Sequence, residues 1–333
     1  MTQTSTLQQI IQDGLQGLKQ DSLSPDQWQV LHHLQGCRTE RMGSFQWHCR
    51  HCDQDTTWYC SCRDRHCPTC QCTAREKWLR TRQQDLLPVT YHHLVFTLPH
   101  QFNHWTQVCP EVVYKSLFKS VWETLNHFAN KRHHLEGKLG MMSVLHTWGQ
   151  SLCQHIHLHC LIPSGVINAE NEWQGTRKPG YLLPVKALSV KFKKTMLQHI
   201  HQAKLDEKLT RMDTTDINKT LDDVSSLNWV VYSKPAISHA DSVVQYLARY
   251  CNRIGVSPSR LSLVNRHEVI LRYKDYRTGK HSSMTLSTQE LLRRFLLHVL
   301  PKGFMRLRYY GFMANAIRRK SLKVIRSSLA LVE

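Results

Sequence analysis

The sequence predicts an α+β fold: a central antiparallel sheet flanked by helices, preceded by a small cysteine-rich module. Two observations predict it. Strand-like and helix-like runs mix along the chain without the strict alternation that a parallel sheet requires. The cysteines crowd at one end: Cys37, Cys49, Cys52, Cys60, Cys62, Cys67, Cys70 and Cys72 fall in one short stretch, while Cys109, Cys153, Cys160 and Cys251 are scattered singly.

A length of 333 residues allows a real core in two domains, or in one catalytic domain with an appendage. Lys+Arg number 44 against 25 Asp+Glu, a formal charge of +19, with 22 His besides. A charge of that size implies a polyanionic partner, because neutralising phosphates releases counterions from nucleic acid. No apolar run is long enough to span a bilayer. The Gln-rich start of the chain has no signal-peptide core, so a reducing cytoplasm is expected and the cysteines point to metal rather than disulfides.

Residues 6–35 read as helical, with Ser24-Pro25 as a cap and first-turn pair. The cysteine-rich stretch follows with little periodicity, and Thr73 to Leu87 then reads as a helix stopped by Pro88. Tyr91 to Leu98 is strand-like, ended by Pro99. Residues 107–135 carry Val112, Leu117, Val121, Leu125 and Phe128 at helical spacing. Gly140 to Thr147 and Leu152 to Ile162 read as strands joined at Trp148-Gly-Gln-Ser151. A basic helix is expected over 185–211, a polar loop from Asp213 to Ser226 and a short strand from Trp229 to Tyr232. Ser238 to Arg253 reads as a helix, Arg260 to Tyr276 with His281 to Leu286 as a β-meander, and Thr288 to Leu300 as a last helix. The expected division is 1–87, helical and zinc-binding; 88–315, the sheet domain; and 316–333, a basic tail.

Three constellations carry chemistry. Cys49-Arg-His-Cys52 and Cys67-Pro-Thr-Cys70 are two C-x-x-C knuckles, each offering two thiolates on one turn. Together they would make the tetrahedral sulfur site that structural zinc prefers. Cys37, Cys62 and His66 are the candidates for a second zinc. The arginines in this segment suit DNA phosphates, although a folding staple needs no such contact.

In His155-Ile-His-Leu-His-Cys160, alternate side chains share a face, so His155, His157 and His159 line up while Ile156, Leu158 and Cys160 turn to the core. Aligned imidazoles suit a divalent ion, and with oxygen ligands and phosphates Mg2+ or Mn2+. Gln150, His155 and His93 are candidates for a further ligand. Finally, Tyr246 and Tyr250 are four residues apart, on one face of the expected helix, with Arg249 and Arg253 three residues after each. A cation there could hold a phosphate and ease formation of a phenolate.

Taken together, His157-Leu-His159 and the later Tyr246/Tyr250 pair resemble the HUH endonucleases, and more closely the two-tyrosine rolling-circle transposases of bacterial insertion sequences, of the insertion-sequence ninety-one type. Matching segments include Ser61-Cys-Arg-Asp-Arg-His-Cys-Pro-Thr-Cys-Gln71, Leu94-Val-Phe-Thr-Leu-Pro99, Thr147-Trp-Gly-Gln150, Tyr246-Leu-Ala-Arg-Tyr250 and Leu297-His-Val-Leu-Pro-Lys-Gly303. The resemblance covers roughly residues 10–315. It implies an N-terminal zinc domain and a nuclease domain with an HUH palm, His157 and His159 as metal ligands, and Tyr246 and Tyr250 as nucleophiles. Ile156 stands where such proteins often have proline, which leaves the ligands undisturbed. The implied activity is nicking and rejoining of single-stranded DNA at element ends through 5′-phosphotyrosine bonds. No G-x-x-x-x-G-K loop occurs, so a host helicase or the replication machinery would separate strands. A replication initiator or relaxase would share this chemistry, and a zinc-dependent DNA-binding regulator would lack it. An acid-triad integrase needs carboxylates in which the chain is poor.

Overall fold

The computed structural model describes residues 6–18, 23–131, 136–176, 183–237, 242–243, 255–275 and 278–330. In chain order its elements are α1 (Thr6–Leu15), α2 (Pro25–Gly36), β1 (Ser44–Cys49), β2 (Gln54–Tyr59), α3 (Pro68–Gln83), β3 (Tyr91–Thr97), α4 (Trp105–Val108), α5 (Pro110–Lys131), β4 (Lys138–Trp148), β5 (Gln154–Pro163), β6 (Gly165–Ile167) and β7 (Trp173–Gly175). Then follow α6 (Val185–Leu205), α7 (Thr214–Ser226), β8 (Val231–Ile237), β9 (Leu261–Leu263), β10 (Glu268–Lys274), β11 (His281–Ser287), α8 (Thr288–Leu296), β12 (Leu307–Gly311) and α9 (Arg318–Ala330). The fold is α+β.

Two compact units divide these elements, and they interleave along the chain. The first comprises 1–78, 148–154 and 252–302; the second 79–147, 155–251 and 303–333. A linear division near residue 87 does not reveal this, because the meander and α8 return to the first unit.

In the first unit α1, α2 and α8 close over the three-stranded sheet β11-β10-β9. Leu7, Ile10, Ile11, Leu31, Leu34, Leu271 and Leu292 form its core. Helix α2 starts on the expected Ser24, whose hydroxyl accepts from the Gln27 N–H while the Gln27 side chain accepts from the Ser24 N–H, a reciprocal cap. Helix α8 starts on Ser287, whose hydroxyl accepts from the Glu290 N–H at 3.1 Å. Glu290 in turn receives Arg293 and Arg294, each at 2.7 Å. The β1–β2 hairpin stands as its own two-stranded sheet.

The second unit is built on a seven-stranded sheet in the order β7-β6-β4-β5-β3-β8, with β12 paired to β4. The β3–β5 register sets Leu94 opposite Cys160 and Phe96 opposite Leu158, all buried. On that face Phe96 meets Phe192 of α6 edge-on at 5.2 Å between ring centroids, and Phe192 meets Trp229 at the same distance. Such T-shaped packing adds to the area each ring buries.

Two segments differ from expectation. Residues 214–226, read as a loop, form α7: the Asp213 carboxylate accepts the Thr215 and Asp216 N–H groups, and Ile217, Leu221 and Val224 are buried. That apolar stripe is one residue wide and hidden among polar neighbours. Residues 318–330, expected as a tail, form α9, with Leu322 and Ile325 buried and Arg326 donating to the Gln84 and Leu86 carbonyls. The expected helix Ser238–Arg253 lies outside the described residues apart from Ser242 and Val243.

Phe96→Ala should cost about 3–5 kcal/mol of stability, read as a lower urea midpoint with zinc retained. Arg293, against some opposition from burial and with help from Arg294, holds the Glu290 carboxyl down to about 2 from 4.5. A depressed carboxylate contributes stability above its unfolded value and loses it as pH falls through its folded one. Glu290→Gln should therefore cost up to about 1 kcal/mol at neutral pH and nothing near pH ~2, which urea titrations at the two pH values would register.

Candidate metal centres

The first unit gathers four cysteines from three places in the chain: Cys37 just after α2, Cys62 just after β2, and Cys67 and Cys70 at the start of α3. Their sulfurs all lie within 4.8 Å of one another. Cys37–Cys70 and Cys62–Cys70 are 3.6 Å apart and Cys67–Cys37 3.7 Å. Zinc–sulfur bonds of about 2.3 Å give a tetrahedron whose edges are about 3.8 Å, so this donor set fits zinc in both chemistry and spacing. Cys37 is the acidic member, its pKa lowered because the Cys62 and Cys67 thiols donate to its sulfur; theirs are raised in turn.

The expected partnership of Cys49 and Cys52 with Cys67 and Cys70 is therefore not the one brought together. Cys49 and Cys52 form their own knuckle at the tip of the β1–β2 hairpin, where the Cys52 and His51 amides point at the Cys49 sulfur and lower its pKa. Cys37 and Cys62 take the remaining two corners beside Cys67 and Cys70. His66 stands outside the cysteine group among the described residues. Its Nδ1 faces Asp64 at 3.0 Å, and its Nε2 accepts the Leu300 N–H at 3.3 Å. It is a buried strut. Burial alone would raise the Asp64 carboxyl, but hydrogen bonds from His66 and His33 hold it down to about 2.

The second unit gathers histidines. His157 and His159 sit on β5 and His146 on the neighbouring β4, all three buried with ring nitrogens within 4.8 Å of one another. His157 Nδ1 donates to the His155 carbonyl at 2.8 Å, and His159 Nδ1 pairs with His93 Nε2 on β3 at 2.9 Å. With each Nδ1 committed, the Nε2 atoms of His157 and His159 face each other across 3.1 Å. Two lone pairs at that distance repel unless a proton or a cation lies between them. A shared ion with bonds of about 2.1 Å sets adjacent nitrogens about 3.0–3.4 Å apart, so the site fits a divalent metal. Hydrogen bonding at the far nitrogen is how proteins aim a ligating imidazole.

His155, exposed, approaches only through its ring, 4.7 Å from that of His157, and through the carbonyl just named. The Gln150 carbonyl accepts from Arg260 within the first unit. His93, a candidate ligand in the sequence, stands behind His159 as its hydrogen-bond partner. Sequence reasoning passed over His146, which carries no motif of its own; only the pairing of β4 with β5 brings it in. Tyr246, Tyr250, Arg249 and Arg253 lie outside the described residues.

The chain is basic, with a four-cysteine group that fits zinc in one unit and three convergent histidines on the sheet of the other, and comparison with known proteins gives its class. A family model described as "Putative transposase" matches residues 140–321, and one described as "Transposase zinc-binding domain" matches residues 8–98. The "Putative transposase y4qJ" of Sinorhizobium fredii is 39% identical over 93% of this chain and 80% of its own length. The "Transposase for insertion sequence element IS801" of Pseudomonas savastanoi pv. phaseolicola is 24% identical over 94% of this chain and 77% of its own. No solved structure matches. The chain belongs to the IS91 family of transposases, and with that come structural zinc, DNA binding and a nuclease and strand-transferase activity. No described helix is long and apolar enough to cross a membrane.

Cys62→Ser should release the bound zinc and lower the thermal midpoint, because zinc affinity at such a site is folding free energy. Cys49→Ser should keep that zinc; atomic emission on the purified variants measures both.

Proposed function

We propose that the chain nicks and rejoins single-stranded DNA at insertion-sequence ends by HUH chemistry, with His146, His157 and His159 holding a divalent ion, Mg2+ or Mn2+, and Tyr246 and Tyr250 as nucleophiles. The observation that carries the reading is the pair of opposed Nε2 atoms 3.1 Å apart on the β5 face of a transposase. When bound, the ion supplies Lewis-acid polarisation of the scissile phosphate.

The protein's own part is orientation and nucleophilic attack. His93 and the His155 carbonyl fix the rings of His159 and His157, so that no reorganisation is needed when charge develops. One tyrosine oxygen forms a bond to phosphorus as the P–O3′ bond breaks, and the phenolic proton ends on the freed 3′-hydroxyl. The 5′-phosphotyrosine bond conserves the energy of the cut, so a 3′-hydroxyl from another strand can reverse the step without ATP. Two tyrosines allow two such events, one for each strand exchanged. Arg249 and Arg253, three residues after each tyrosine, are suited to hold the phosphate. Single-stranded DNA is then the partner at both the element end and the target, with host enzymes separating the strands.

Incubation of the chain with end-derived single strands and Mg2+ or Mn2+, followed by a denaturing gel, should give a covalent protein–DNA band. Tyr246→Phe/Tyr250→Phe should abolish it. His157→Ala should abolish cleavage and leave DNA binding intact, while His93→Ala should lower cleavage about 10- to 100-fold. Absence of an adduct with any end sequence or metal would favour a zinc-dependent DNA-binding regulator instead.

A further inference from the structure

The β1–β2 hairpin carries an arrangement that the nuclease site does not use. In an antiparallel pair, residues two apart on one strand share a face with the residue opposite. Phe45 lies opposite Trp58 and Trp47 opposite Thr56, so Phe45, Trp47 and Trp58 occupy one face. They are 70%, 62% and 66% exposed, among the most exposed large apolar side chains of the described residues. Rings this open contribute little to a core. A cross-strand aromatic pair helps the hairpin itself, but Trp47 faces only a threonine and gains little of that.

Charge is sorted across the same hairpin. Asp55, opposite His48, falls on the other face, where the two side chains pair at 3.0 Å. The strands therefore put no carboxylate on the aromatic face. Arg38 and Arg41 at the base, Arg50 at the tip and Arg63 just beyond β2 are exposed. Arg38 and Arg63 each directly follow a cysteine of the zinc group and hold left-handed backbone, φ 60° and 53°. Glycine would take that conformation more cheaply, so the sequence retains a cation at some conformational cost. Along a strand, residues two apart are about 6.8 Å apart. That is twice the ~3.4 Å stacking repeat of a nucleic-acid strand, so one base fits between the Phe45 and Trp47 rings.

We propose that this face is a stacking platform for unpaired bases of the DNA strand, with the neighbouring arginines on its phosphates. It rests on the reading of single-stranded DNA as substrate and adds where, apart from the histidines, the strand is held. Paired bases offer no open ring faces, so the platform discriminates single strands from duplex.

The test titrates the full, zinc-loaded chain with fluorescent oligothymidylate and with the matching duplex, without Mg2+ or Mn2+, so that binding is read apart from cleavage. Trp47→Leu and Trp58→Leu keep an apolar side chain and remove the ring; each should weaken single-strand binding by about 10-fold, with duplex binding and zinc content unchanged. Trp47→Phe should keep most of the affinity. Unchanged single-strand affinity in the leucine double variant overturns the proposal, and if that variant instead dissociates a dimer seen by light scattering, the face joins two copies of the chain. Should the leucine variants lose zinc, photocrosslinking the unaltered chain to 5-iododeoxyuridine strands decides: adducts at Phe45, Trp47 or Trp58 support the platform, and their absence overturns it. If stacking fails while His157→Ala still abolishes cleavage, the reading of the histidine site stands.

Discussion

The alternation of β5 is the constraint on which the rest depends. A strand has two faces, and this one turns an apolar set one way and an imidazole set the other. Ile156, Leu158 and Cys160 pack where Phe96 and Phe192 exclude water, so β5 has no freedom to slip. A shift of one residue would press the imidazoles into that apolar layer and turn the aliphatic set toward His146 and His93, a reversal that costs both packing and hydrogen bonds. The two histidines are held with their Nε2 atoms 3.1 Å apart by the packing of Leu158 between them. His146 and His93 arrive from the strands on either side, so the site is a property of three adjacent strands rather than of one motif.

Much of this was legible in the chain. Strands ended by proline, helices with apolar stripes and a Ser-capped start read correctly because each obeys a local rule. What escaped depended on pairing. The β1–β2 hairpin has no buried face: Phe45 and Trp47 alternate with polar residues along β1, but the six-residue run is short and β2 shows no matching alternation. His146 acquires meaning only from the register of β4 against β5. The C-x-x-C spacing identifies which thiols turn together, yet says nothing about which other residues complete a tetrahedron. Cys37 and Cys62 do so because α2 and the hairpin end beside each other, with the Arg38 N–H donating to the Cys60 carbonyl at 3.0 Å. Helix α7 was missed for a different reason: three apolar residues in thirteen were outweighed by their neighbours.

The cysteine group also explains how a marginal element is tolerated. An isolated two-stranded hairpin is barely stable in water. Here its two ends are pinned beside metal-binding sulfurs, which removes most of the entropy that would melt it. The hairpin can then spend its surface on exposed rings instead of on a core of its own. Structural zinc at the base of a projecting element is in this sense a substitute for hydrophobic area.

The interleaving of the two compact units has an evolutionary corollary. The three-stranded sheet and α8 come from the far end of the chain, yet their Leu271, Leu291, Leu292 and Phe295 share a core with Leu7, Ile10, Ile11 and Leu31 from its beginning. A recombination event that exchanged the first hundred residues as a cassette would give each parent's C-terminal leucines the wrong counterpart. Residues 1–87 therefore cannot be exchanged alone without disturbing the core they share with residues 252–302.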